Sequence, residues 1–373
     1  MTLLDVHVPE SASDAGASLH SPGHGQVQAR REVRHEYSRN LPSILEGLNA
    51  SLLVSTYQAG KVVGVGVAAG ELALSYHNFE RAMGVAVCNG AIAVGARAQV
   101  WFLNSAPDLA RRIEPPGRHD ACFVTRSSRF TGEIQGHEMA WSGADLWIVN
   151  TAFSCLCTLH PEHSFEPRWR PPFVSALAPE DRCHLNGLAM ANGQPKYVTV
   201  LGETDVPHGW RPGKASGGAL IDVDSNATVA RGFAMPHSPR VHAGQVWLLH
   251  SGMGRLVRID PANGRHDDVA ALPGYARGLA FAGAFAFVGL SKVRETSTFG
   301  GMPIAERREE LKCGVGVVDL RTGRLAAHLE FASGIDEIFD VQVLPAARSP
   351  MLSGPYPTLD GGQPIWTVPS PKP

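Results

Sequence analysis

Read for self-similarity, the chain repeats one unit five times, and a sixth time in two pieces. Each unit is a short apolar strand, a Gly turn, a second apolar or aromatic strand, a third strand often ending in Asp, and a variable fourth. The copies begin near Met83 (MGVAVCNG), His137 (HEMAWSG), Asn186 (NGLAMANG), His237 (HSPRVHAG) and Arg277 (RGLAFAG). The sixth has its first strand, IFDVQVLP, near the C-terminus, and its other three, SLLVSTYQ, KVVGVGV and ELALSYHNF, near the N-terminus. Four-stranded units of about 40–50 residues are the mark of a propeller. A ring that draws one blade from both chain ends removes its exposed sheet edges. A β-sandwich would not place a missing first strand at the opposite end. The expectation is therefore an all-β, six-bladed β-propeller over residues 41–345. A flexible N-terminal extension (1–40) precedes it and a Pro-rich C-terminal tail (346–373) follows.

Composition agrees and excludes some functions. The 40 Gly and 27 Pro suit many short strands joined by turns. A net charge of −2 leaves no electrostatic footprint for nucleic acid or an acidic membrane, and no apolar run is long enough to span a bilayer. The first forty residues lack a basic-then-apolar signal pattern. The six cysteines show no disulfide-scaffold spacing, so reduced thiols and a cytoplasmic location are expected.

In a propeller the first strand of each blade lines the central channel. Aligned on the turn into that strand, the repeats place Met83, His137, Asn186, His237, Arg277 and Phe339 at one level, with Arg81, His184, Glu337 and Asp340 beside them. An apolar core would not need two His, an Asn and an Arg at equivalent positions. The second strands end on the same face with Asn150, Glu203, His250 and Ser291. The two longest loops are expected to form a lid there. One is 203–216, with His208 and Trp210; the other is 291–312, with Arg294 and Glu295. The aromatics Trp101, Trp141, Trp147, Trp247, Phe281 and Phe287 are assigned to the core.

Three chemistries remain open. His137, His184 and His237 could ligate a divalent transition metal (Zn, Fe, Cu or Ni), with Glu337 completing the shell or acting as base. Alternatively, Arg81 and Arg277 could hold an anion while a His beside a carboxylate moves a proton, without metal. A non-catalytic platform is the third. The nucleophile elbow, the P-loop and the dinucleotide fingerprint are all absent from the sequence.

The strings LLVSTYQAGK, GRHDACF, SCLCTL, RWRPPFVSALAPEDRCHLNGLAM, KASGG, MPHSPR, GLSKVRE and FGGMPIAER resemble a largely uncharacterised bacterial family. Some of its members are joined to tetratricopeptide or sulfotransferase-type regions. More remotely, the architecture is similar to the gluconolactonase/regucalcin and peptidyl-hydroxyglycine lyase propellers, and that likeness implies a divalent metal at the channel mouth. Together these readings lead to a metal-dependent enzyme acting on a small polar or anionic substrate or a peptide. Its class is open among lyase, hydrolase, isomerase and oxygenase. His137, His184 and His237 would be ligands, and Glu337, Asp340 and Arg277 catalytic. Arg81, Asn186, Asn150, His250, Arg294 and Glu295 would bind substrate. The alternative is a propeller that binds a peptide or partner protein.

Overall fold

The repeat folds as six antiparallel sheets arranged in a ring, in a computed structural model that describes residues 32–88, 90–293 and 301–369. Blade 1 comprises Ala50–Thr56, Lys61–Ala68 and Glu71–Asn78, with Asp340–Pro345 as its innermost strand. That closing strand pairs antiparallel with the first, Ser55 opposite Asp340 and Ala50 opposite Pro345. Blades 2 to 6 follow in chain order. Their inner strands are Val85–Cys88, Gly136–Ser142, Leu185–Ala191, Pro236–His242 and Tyr275–Ala282. The split sixth repeat therefore closes the ring as its sequence implied.

Middle strands such as Lys61–Ala68 and Gln245–His250 are buried on both faces, whereas outer strands such as His266–Ala271 are partly exposed. In blade 1, Leu53 packs towards blade 2 while Leu52 and Val54 pack towards blade 6. In blade 5, Leu248 meets blade 4 and Leu249 meets blade 6. Six apolar clusters result, one between each pair of neighbouring blades. This explains the unbroken apolar runs: a strand covered on both sides has no polar alternation to show. Each fully buried Leu, Val or Phe contributes about 1.5–3 kcal/mol of transfer free energy. Trp247 and Phe287 are buried in these seams, and Trp101, Trp141, Trp147 and Phe281 pack against them.

Around the channel waist, carboxylate or hydroxyl side chains alternate with glycines. Blades 1, 3 and 5 present Asp340, Glu138 and Ser238, and blades 2, 4 and 6 present Gly84, Gly187 and Gly278. Each side chain accepts a backbone N–H from the next blade: Asp340 from Val85 at 2.9 Å, Glu138 from Leu188 at 2.7 Å, Ser238 from Gly278 at 3.1 Å. The glycines leave room for the neighbouring backbone. A Cβ on Gly278, where φ is +81°, would lie 2.5 Å from the Val341 nitrogen. Arg240 crosses the waist, donating to Glu138 and to the Leu188, Pro239 and Leu279 carbonyls.

The ring extends past both sequence boundaries drawn at 40 and 345. His35–Tyr37 adds a fifth, outermost strand to blade 6. Pro350–Ser353 adds one to blade 2, parallel to Ala121–Val124. The tail is fastened by Asp120, which accepts the Arg348 and Ser349 N–H groups at 2.8 and 2.9 Å, and by Asp360, which accepts the Asn78 N–H at 2.8 Å. His119 and Asp120 of the GRHDACF string are thus a tail latch. The remainder of the expected extension, residues 1–31, lies outside the described residues. Among the described residues no helix is long and apolar enough to cross a membrane.

Candidate functional site

The turns into the inner strands anchor three imidazoles, each through its Nδ1. Nδ1 of His137 lies 2.9 Å from the Gln135 carbonyl oxygen and 2.8 Å from Thr151 Oγ1, whose own proton goes to the Leu185 carbonyl of the next blade. Nδ1 of His237 lies 2.9 Å from the Met235 carbonyl oxygen and 3.1 Å from Ser251 Oγ. A carbonyl only accepts, so in both rings Nδ1 carries the proton and Nε2 the lone pair. His184 turns Nδ1 to the Asp181 carboxylate, at 2.9 and 3.0 Å. Among the described residues no hydrogen bond reaches Nε2 of any of the three. Burial, then the nearby charge of Arg277, push His137 and His237 well below the ordinary imidazole range, so both are neutral.

Asp181 is a hub. Besides His184 it takes the Trp210 indole N–H at 3.1 Å, and His208 Nδ1 stands 3.6 Å away. Asp181, His184 and His208 all have left-handed backbones, with φ of 47°, 50° and 53°. Three non-glycine residues in that region around one carboxylate store strain of about 1–3 kcal/mol each, a cost that concentrates at functional sites.

Arg277 is the central charge. Its guanidinium lies 3.5 Å over the Phe339 ring and 3.6 Å from Glu337, with the side chain only 14% exposed. Burial lowers its pKa and Glu337 opposes the shift; guanidinium nevertheless stays charged. Among the described residues it makes no hydrogen bond. Aromatic contacts run outward from there. Phe339 meets Tyr57 and His137, His137 meets His184, and His184 meets Trp210 at 4.5 Å. His237 stands edge-on to Tyr275. At the rim Arg81 lies over Tyr57 and pairs with Glu133 at 3.7 Å. Trp210 of the first long loop shares one apolar cluster with Met302, Ile304 and Leu311 of the second, and Tyr275 belongs to it too.

The structure thus brings together His137, His184, His237, Arg277 and Glu337, with Arg81 at the edge. It gives other sequence candidates different surroundings. Asn186 is engaged at both ends, donating to the Pro236 carbonyl and accepting from Thr199 Oγ1. Asn150 is fully buried and caps its own turn through the Phe153 N–H. His250 accepts the Ala234 N–H and packs on Phe233 and His266, none of them members of the cluster. Asp340 belongs to the waist. Arg294 and Glu295 lie outside the described residues. Asp181, Tyr57 and Tyr275 were not singled out for the site, and Trp210 was expected only as part of a lid loop; only the three-residue spacing of Asp181 and His184 in PEDRCH hinted at the first.

The expected transition metal does not fit this donor set. Among the described residues no group of three His, Cys, Asp or Glu side chains is placed to hold a metal ion. A permanent guanidinium charge beside His137 and His237 would also repel a divalent cation. The neighbouring Cys183 thiol, pushed up to about 12 by burial, is no better a ligand.

Fold and mouth together define a six-bladed propeller with a buried cation among neutral imidazoles. The chain belongs to the family described as a domain of unknown function, DUF4915, which matches residues 39–352. Among solved structures it is similar to a chain of the nidogen/laminin complex at 10% identity and a TM-score of 0.51, covering 80% of this chain and 99% of that one. It is also similar to a protein of unknown function from Bacteroides caccae at 9% identity and a TM-score of 0.49, covering 79% and 98%. The first likeness is one of fold alone. No curated protein matches the chain.

Proposed function

We propose that the channel mouth binds a small carboxylate-bearing molecule through Arg277, and that His184, held by Asp181, moves a proton on it. The observation that carries this reading is the nearly buried Arg277 guanidinium with no hydrogen-bonded acceptor among the described residues. Buried charges are normally paired and hydrogen-bonded, and a planar carboxylate matches the guanidinium fork in two parallel bonds. His184 has the geometry of a general base. Asp181 fixes the Nδ1–H, Nε2 can accept a proton, and the imidazolium then formed stays against the carboxylate. Three left-handed residues around that pair support a site under functional constraint.

The test is a thermal-shift and calorimetric titration of the full chain with a panel of small carboxylates, beside an Arg277→Met variant. A ligand at 100 times its Kd should stabilise the wild type by about 2.7 kcal/mol, and the variant should not respond. If no carboxylate shifts the wild type, or if the variant responds equally, the proposal fails.

A further inference from the structure

We propose that the molecule bound at the mouth carries neutral hydroxyl donors beside its carboxylate, making it a hydroxy acid rather than a simple or amino acid. This rests on the carboxylate reading above and deepens it. His137 and His237 are 7% and 3% exposed, and each is locked with Nδ1 as donor to a carbonyl of its own blade. Their Nε2 atoms are therefore fixed acceptors, and nothing described donates to them. Neither Nε2 is among the described side-chain atoms that are buried without a partner, so both open onto the mouth, where a ligand's donor can take the place of water.

The kind of donor follows from the surrounding charge. The groups facing the two rings are Arg277, His184, Phe339 and Tyr275. Arg277 already disfavours a second positive charge there, which helps keep both imidazoles neutral. An ammonium donor would meet the same repulsion. A hydroxyl supplies the proton without the charge, and hydroxyls flanking a carboxylate would reach the imidazoles while Arg277 holds the acid end. Sites built around hydrogen bonds to a ligand hydroxyl discriminate strongly against the analogue that lacks it, because the site's own groups are left unsatisfied.

Three probes of similar size separate the possibilities: glycerate (carboxylate with two hydroxyls), propionate (carboxylate alone) and alanine (carboxylate with ammonium). Affinities would be measured by calorimetry on the full chain at about pH 7.5, where both rings are neutral. Glycerate should bind roughly ten- to a hundredfold tighter than either comparator, and a His237→Phe variant should lose most of that preference while still binding propionate. Equal binding of glycerate and propionate would overturn the hydroxyl inference and leave the carboxylate reading standing. Tighter binding of alanine would overturn it in favour of a zwitterion site. Failure of all three to bind would overturn both. The wild-type series decides even if the variant does not fold.

Discussion

Replacing Arg277 with Met and Glu337 with Gln in one variant should leave the fold intact and abolish ligand binding. The magnitude follows from two opposing terms. Removing a guanidinium from water to a site where its side chain is 14% exposed costs several kcal/mol. Its attraction to Glu337 at 3.6 Å is worth about 4–5 kcal/mol at an effective dielectric constant of about 20. The two nearly cancel, so the pair contributes little net stability. Met refills the space of the Arg stem and sets its sulfur on the Phe339 ring, a contact worth about 0.3–1.5 kcal/mol. The Glu337→Gln change removes the charge but keeps hydrogen-bonding capacity. Scanning calorimetry on the ligand-free protein should place the melting temperature of the double variant within about 1–2 °C of wild type, the span of roughly 1 kcal/mol for a chain of 373 residues. The double change leaves no uncompensated charge, so a loss as large as the about 3–5 kcal/mol seen when one partner of a buried pair is removed alone would show that the two side chains hold the fold by more than their mutual attraction and refute the near-cancellation.

Three further outcomes follow from other parts of the molecule. Gly278→Ala should cost about 2–5 kcal/mol, combining left-handed strain with overpacking against the Val341 and Asp340 backbone. Gly70→Ala has a similar φ of +78° and open space, and should cost only the strain; equal denaturant midpoints for the two variants would contradict this. His137 and His237 have folded pKa values depressed far below 6.5, so the unfolded chain binds more protons in acid. Stability should therefore fall as pH drops below about 6.5, by up to about 1.4 kcal/mol per pH unit for each ring. A His137→Phe/His237→Phe variant with an unchanged acid slope would disprove it. Asp340 has the opposite sign. Burial, then Glu138, push its carboxyl up to about 6 from 3.8, so the folded state binds the proton more tightly and stability falls as pH rises through that window. Relative to wild type, Asp340→Asn should gain stability between about pH 4 and 6, and a flat difference would count against the reading.

The fold was legible because its signal is repetition. Six copies of one strand pattern, with one copy split, admit few closures, and unbroken apolar runs such as VVGVGV are what strands buried on both faces require. The outermost strands were not legible. His35–Tyr37 and Pro350–Ser353 are short and sit among polar or Pro-rich residues. They add to an existing edge, so backbone hydrogen bonding places them without any apolar alternation. Within the site, aligning repeats found His137, His237 and Arg277, because equivalent positions face the same space. It also nominated Asn186, whose bonds to Pro236 and Thr199 turn it to stitching blades together. Asp181 and Tyr57 escaped because they lie on irregular turns, where register gives no guide to direction. The metal expectation runs against charge. Two aligned histidines with His184 beside them look like ligands until Arg277 is seen next to the aligned pair.

The two added edge strands change how the ring can come apart. The closure in blade 1 is held by one strand, Asp340–Pro345, near the end of the chain. A short turn later the chain is clamped again on blade 2, and at the other end residues 35–37 are clamped on blade 6. A pull on either terminus therefore loads a peripheral strand first and the closure only after that strand is stripped. The seam behaves as a zipper with a stop at each end. Fraying of the termini, the commonest opening motion of a chain, is thereby uncoupled from rupture of the ring that shapes the channel.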